Sequence, residues 1–162
     1  MRLVMATSDF LIAGRSFAGF PLLLNEDGWP MEPAHSFLWQ ALITHGGVES
    51  KLTWEAYGRR LYDYFAFLAA NELQWDEEQK PHGLSVVARY RDWSLGELAL
   101  SPNTVNKRLN LIVRFYDWCK RQGYIAHLPF GFRDVRTPAH QGFLSHVDRS
   151  GGFVQKPAVM AR

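Results

Sequence analysis

Three cations on one predicted helix have the spacing of a phosphate-binding surface. Lys107, Arg114 and Arg121 repeat every seven residues, which keeps them on one side of a helix with about 20° of drift per step. They cover about 21 Å at 1.5 Å per residue, a length that can follow duplex backbone or lie in a major groove. The alternative is an ordinary solvated face, because surface helices carry charges opposite their apolar stripe.

Polar groups near the start of the same helix extend this candidate surface. Thr104 and Asn106 can donate to phosphate beside the free backbone N–H groups of the helix start, or can be ordinary capping and solvent-exposed residues. Arg108 follows Lys107 and is a candidate of the same kind. At the other end, Arg121 equally suits the negative pole of the helix dipole.

A second group of candidates lies on an earlier predicted helix. Thr53 can cap its first turn, and Tyr57 is followed by Arg59 and Arg60. These two arginines can contact phosphate, or they can simply pair with Asp63 on the surface.

The distribution of charge favours a polyanion as partner. Residues 1–100 hold eight Lys/Arg against 13 Asp/Glu, whereas residues 101–162 hold ten against three, although the net charge is only +2. A basic C-terminal third suggests a local contact surface for nucleic acid, but basic tails also occur without such a partner.

Composition limits the class of protein. A chain of 162 residues that is 47% hydrophobic can bury the core of one domain with tails. Its apolar runs are far shorter than the roughly 20 residues that cross a bilayer, and no signal peptide is evident. The single cysteine, Cys119, excludes an internal disulfide and a thiolate-rich zinc site. We therefore expect a cytoplasmic protein with no membrane partner and no bound metal.

Helical periodicity predicts four helices that would position these residues. Their expected ranges are 33–44, 53–73, 84–93 and 102–122. The last is the clearest, because Ser101 suits the N-cap, Pro102 the first helical position and Gly123 the stop. Its predicted core stripe is Val105, Leu109, Ile112, Val113, Phe115, Tyr116 and Cys119.

The two ends of the chain have no sustained helical period. An Asn25-Glu26-Asp27-Gly28 turn between apolar segments predicts a short β-hairpin, whereas residues 1–15 are expected to be loosely held. The expected organisation is an N-terminal segment at 1–15, a domain at 16–132 and an irregular linker at 133–162. The expected fold class is all-α, with four helices and a short N-terminal hairpin.

Two segments resemble the core-binding domain of tyrosine recombinases, the phage-integrase family. The pattern Thr53-x₃-Tyr57-x₃-Leu61-x₃-Phe65-x₂-Leu68 is similar to the second helix of that domain. The run from Thr104-Val105-Asn106-Lys107-Arg108-Leu109 through Phe115-Tyr116-Asp117-Trp118 to Gly123-Tyr124-Ile125 resembles its last helix, and Leu128-Pro129-Phe130 resembles its exit. The family more usually has Asn at position 128. With a strand-like opening near Phe20–Leu24, the resemblance covers about residues 17–132.

The resemblance implies a SAM-like fold that clamps one face of a duplex recombination site. It implies no cofactor and no small-molecule substrate, with self-association on paired sites in a full-length protein. The DNA-contact residues that it implies, together with the cations above, are Thr53, Tyr57, Arg59, Arg60, Thr104, Asn106, Lys107, Arg108 and Arg114.

Family chemistry belongs to a separate C-terminal domain that supplies a tyrosine nucleophile and several cations, including a His-x-x-Arg pair. Those cations stabilise the negative charge that develops on the phosphoryl oxygens. His146 and Arg149 have this spacing, but Tyr124 is the last tyrosine, so no nucleophile follows them. We interpret the pair as a chance match, and we expect the chain to bind DNA for integration and recombination without being an enzyme.

Two other functions fit the sequence less well. A helical protein–protein module could dock a partner through its aromatic-rich surface and basic tail, and would not be retained on heparin or DNA at low salt. An enzyme of another class would need a recognisable site, yet the chain has no glycine-rich phosphate loop, no Gly-x-Ser-x-Gly and no His-Glu-x-x-His.

Overall fold

The computed structural model describes residues 1–45, 50–77 and 83–131. Its strands are β1 (Arg2–Met5), β2 (Leu11–Ile12), β3 (Arg15–Ser16) and β4 (Pro21–Leu24). Its helices are α1 (Ala34–Trp39), which continues as a π-helical turn at Gln40–Thr44, α2 (Lys51–Ala70), α3 (Val86–Gly96) and α4 (Pro102–Gln122). The predicted four-helix fold with a small N-terminal β element is confirmed. The predicted linker and the His146–Arg149 pair lie outside the described residues.

Helix α4 begins and ends where its capping residues require. The Ser101 hydroxyl accepts a hydrogen bond from the Thr104 backbone N–H, and Gly123 adopts the left-handed conformation with φ of 81°. Helices α1, α2 and α3 all pack against α4. Its buried residues are Val105, Leu109, Leu111, Ile112, Val113, Phe115, Tyr116, Trp118 and Cys119. The helix is therefore the centre of the domain, and only one strip of its surface reaches solvent.

The N-terminal strands pair differently from the predicted hairpin. The predicted turn is present, with the Trp29 backbone N–H bonded to Asn25 Oδ1 at 2.8 Å. Beyond it one bridge forms, between Leu24 and Pro30, with the Met31 backbone N–H donating to the Leu23 carbonyl. Strand β4 instead pairs antiparallel with β1, from Arg2 opposite Leu24 to Met5 opposite Pro21. Residues 2–5, which were expected to be loosely held, are thus a paired strand.

The other helices shift by a few residues from their predicted bounds. The N-cap of α2 is Ser50, not Thr53, which lies in the first turn with its backbone N–H bonded to the Ser50 carbonyl. The same helix ends at Ala70, where the Asn71 side-chain amide donates to the Phe67 carbonyl at 2.8 Å. Helix α3 begins after Ser85, whose hydroxyl accepts from the Ala88 backbone N–H.

Aromatic side chains fill the core between α2, α3 and α4. The hydroxyls of Tyr64 and Tyr116 are 2.7 Å apart, and Tyr116 also donates to the Trp75 carbonyl. The rings of Tyr64 and Tyr90 meet edge to face with centroids 5.1 Å apart. Burial raises the pKa of Tyr116 well above its usual value, so its hydroxyl stays protonated. The helical aromatics at these positions therefore pack the core and are not a base-stacking platform.

Cys119 is fully buried on the core side of α4. Burial raises the pKa of its thiol to about 12, which keeps it a neutral, unreactive group near pH 7. Among the described helices, none has the length and apolar character needed to span a lipid bilayer.

Close packing of α2 on β4 depends on a residue without a side chain. A Cβ at Gly58 would lie 2.4 Å from Pro21 Cβ and 3.3 Å from Leu3 Cδ1. We predict that Gly58→Ala lowers the free energy of unfolding by about 1–3 kcal/mol, because the strand pair must move away from the helix. Urea unfolding followed by tryptophan fluorescence measures the change.

Gly96→Ala is the matched control, because an added Cβ at Gly96 in α3 meets nothing within 4 Å. It should leave stability unchanged or raise it by up to about 1 kcal/mol. Equal losses from the two variants would contradict the close approach at Gly58.

Candidate nucleic-acid interface

Two contacts hold α2 and α4 side by side. Arg114 donates from Nη1 to the Tyr57 hydroxyl at 2.6 Å, and Arg108 Nη2 lies 2.9 Å from Asp63 Oδ2. The later residue of α4 thus meets the earlier residue of α2, which makes the helices antiparallel here. These contacts bring together the candidates that the sequence placed on two separate helices.

The side chain of Arg114 is held at the surface by Tyr57. Its guanidinium carbon lies 5.6 Å from the centre of the Tyr57 ring, so the ring and the hydroxyl both orient it. Arg114 is exposed, and no carboxylate pairs with it in the part of the chain that the structure describes. Its remaining N–H groups are available to a phosphate or a base edge.

Arg108 is placed differently from the exposed cations. Its side chain is only 17% exposed, and besides pairing with Asp63 it donates from Nη1 to the Tyr90 hydroxyl at 3.1 Å. One guanidinium therefore connects α4 with both α2 and α3. This arrangement favours a bracing role for Arg108 over the DNA contact that the sequence suggested.

Arg60 lies on the face of α2 between the two contacts. It is three residues after Tyr57 and three before Asp63, which on a helix is the same side. On α4, Lys107 is exposed and shares the side of Arg114, seven residues earlier. We call Arg60, Lys107 and Arg114 the basic surface.

Arg59 does not join the basic surface. It points to another side of α2, where its guanidinium pairs with Glu55 at 2.7 Å, and its side chain is 67% exposed. The expected alternative, in which Arg59 or Arg60 pairs with Asp63, is wrong because Asp63 holds Arg108.

The remaining candidates lie near the starts of the two helices. Thr104 is half-buried, and its hydroxyl is 2.9 Å from that of Ser101, so it takes part in the helix cap. Thr53 is half-buried in the first turn of α2. Asn106 is exposed and makes no side-chain hydrogen bond within the described ranges. Its amide is therefore free to bind a ligand.

Sequence reasoning missed a groove between the π-helical turn and the end of α4. The groove has a volume of about 680 Å³, and its lining includes Gln40, His45, Arg114, Trp118 and Arg121. The Trp118 ring nitrogen donates to the Gln40 side chain and closes its floor. Periodicity could not reveal this groove, because it lies between two segments that are 78 residues apart at Gln40 and Trp118 and meet only in the folded chain.

No metal centre is evident among the described residues, where no three His, Cys, Asp or Glu side chains are grouped to hold an ion. The arrangement of α2 and α4 instead offers exposed cations and amides, which suit binding to an anionic polymer.

The bracing role of Arg108 has a consequence for stability. We predict that Arg108→Ala lowers the free energy of unfolding by about 1–2 kcal/mol, because it removes a partly buried ion pair and a hydrogen bond. Chemical denaturation followed by circular dichroism tests this. Lys107→Ala is the control and should stay within about 0.5 kcal/mol of the unmodified chain. A similar effect of the two substitutions would show that the Arg108 contacts add nothing.

Comparison with known protein families agrees with this geometry. The family model for the phage integrase N-terminal SAM-like domain matches residues 39–123, from the last residue of α1 to the stop of α4. No curated protein and no solved structure matches the chain. The match spans 85 of 162 residues, counted inclusively from 39 to 123, and includes both helices of the basic surface. The chain belongs to the phage integrase N-terminal SAM-like domain family.

Proposed function

We propose that this chain binds duplex DNA through the basic surface, as the core-binding domain of a site-specific tyrosine recombinase. The observation that carries the proposal is the Arg114–Tyr57 contact, which brings the side of α2 that bears Arg60 next to the exposed strip of α4. Family membership supports DNA as the partner. In this role the domain would clamp the recombination site during DNA integration and recombination.

The electrostatics of α4 support binding to phosphate at its N-terminal half. Residues 98–116 contain three cations and no carboxylate. Arg108 forms an ion pair with Asp63. The cations that can contact DNA phosphates are therefore the three of the basic surface. The dipole of α4 adds a partial positive charge at the same end, although Pro102 has no N–H and the Thr104 N–H is capped by Ser101. The C-terminal half suits phosphate less well, because Asp117 lies between Arg114 and Arg121.

The proposal concerns DNA binding and assigns no chemistry to the described residues. The family match covers the SAM-like domain only. Breaking and rejoining of DNA would be the work of a separate catalytic domain of the family. Self-association on paired sites would then bring two such clamps together.

Salt dependence tests the phosphate contacts. If the three cations of the basic surface each neutralise one phosphate, the logarithm of affinity should fall with the logarithm of salt concentration at a slope of about −3. Fluorescence anisotropy with a labelled duplex measures the slope. An affinity that does not change with salt would exclude the proposed contacts, and no retention on DNA or heparin at low salt would favour the protein–protein module.

Charge reversal tests the position of the surface. Lys107→Glu with Arg114→Glu should weaken duplex binding by at least about tenfold, since each change removes an attraction and adds a repulsion. The helical signal should stay nearly the same, because both side chains are exposed. The melting temperature should fall only slightly, because Arg114→Glu removes one exposed contact with Tyr57.

Arg59→Glu is the control for each single reversal, Lys107→Glu or Arg114→Glu, because it makes the same change of two charge units on another side of α2. It should reduce affinity far less than either of those single substitutions. If all these substitutions weaken binding equally, only net charge matters and the surface has been placed wrongly.

A further inference from the structure

We propose that three asparagines on α4 read adenine-containing base pairs in the major groove. They are Asn103, Asn106 and Asn110, which we call the asparagine row. The inference rests on the proposed DNA binding and adds the chemistry of sequence recognition to it.

The row is one continuous feature of the exposed strip of α4. All three residues are exposed, and steps of three and four residues keep them within about 60° of one another around the helix. Along the axis they cover about 10 Å, which equals the rise of about three base pairs of duplex DNA. Their spacing therefore allows contact with neighbouring base pairs.

The side-chain amides of the asparagine row do not stabilise the fold through hydrogen bonds in the described part of the chain. None of them makes a side-chain hydrogen bond there. By contrast, Asn25 bonds the Trp29 backbone N–H, and Asn71 bonds the Phe67 carbonyl. Asparagine is also a poorer helix former than alanine, so Asn106 and Asn110 in the interior of α4 do not favour the helix by their own propensity.

Asparagine has the hydrogen-bonding groups that adenine requires. Its carbonyl oxygen can accept from the adenine N6 amino group while its amide nitrogen donates to N7, both on the major-groove edge. Lys107 and Arg114 lie beside the row, both on the same side of it, and can hold the adjacent phosphates. No carboxylate occurs among residues 98–116 to repel the DNA.

The packing of α4 leaves only one strip of the helix, the one that bears the asparagine row, free to face a groove of DNA. Helices α1, α2 and α3 cover the rest of α4. The exposed strip of α4, which bears the asparagine row, is therefore the part of this helix that can face a major groove about 12 Å wide. The cations position the chain and the amides supply the sequence preference.

Selection from a randomised duplex pool tests the inference. The pool contains duplexes of about 20 base pairs, or two helical turns, and the full chain is compared with the Asn106→Ala/Asn110→Ala variant. We expect the unmodified chain to enrich adenines at neighbouring positions. The variant should still bind the pool but should lose the preference for adenine at every position except the one that Asn103 contacts. Gln122→Ala is the control, because it removes an exposed amide of α4 outside the row and should select the same sequences as the unmodified chain.

Chemical substitution in the selected duplex identifies the contact. Replacing the enriched adenines by 7-deazaadenine removes the N7 acceptor but keeps the N6 amino group. It should weaken binding of the unmodified chain about 2- to 12-fold for each contacted pair, the contribution of one hydrogen bond. The double variant should lose at most the contribution of the one adenine that Asn103 contacts.

The outcomes separate this inference from the proposed function. If the unmodified chain binds the pool without preference for adenine, or if the double variant selects the same sequence, the row does not read bases although DNA binding stands. If the unmodified chain retains no duplex at low salt, the proposed function itself is wrong and the inference is overturned with it.

Discussion

The burial of the apolar side of α4 is the constraint on which the rest of the structure depends. Nine of its residues are buried, and each of the other helices packs against it. The buried pair Tyr64–Tyr116 connects it to α2, with hydroxyls 2.7 Å apart. Because an amphipathic helix covered on three sides keeps a single free strip, the core also decides where α4 can meet a partner. That strip carries exposed cations and amides.

Neighbouring cations on α4 have different roles because their surroundings differ. Arg108 is 17% exposed and braces α2 and α3, whereas Lys107 beside it is exposed. Arg114 is exposed like Lys107 but is also held in place by a neighbour, as Arg108 is. Tyr57 orients its guanidinium without neutralising its charge. An oriented cation loses less conformational freedom on binding a phosphate than a free one does. The contacts between α2 and α4 therefore stabilise the domain and also fix the position of Arg114 at its surface.

Local signals in the sequence were sufficient to predict the bounds of α4, but they could not predict contacts between residues that are distant in the chain. Ser101, Pro102 and Gly123 correctly predicted its bounds, because capping depends on neighbours in the chain. Strand β1 was missed because its four residues have weak alternation and their partner lies about 20 residues away. The role of Arg108 was also hidden, because Asp63 and Tyr90 reach it only through the fold. The exposed candidates, which include Lys107, Asn106 and Arg114, did follow from helical periodicity.

A residue-level map of the chain bound to duplex DNA tests the central claim most directly. In an NMR titration of the isotope-labelled chain with a duplex at low salt, the largest amide shift changes should occur at residues 103–114 of α4 and 57–60 of α2. The β2–β3 hairpin and the outer side of α3 should change little. Shift changes concentrated on that hairpin or on α3, with α4 unaffected, would contradict the proposed surface.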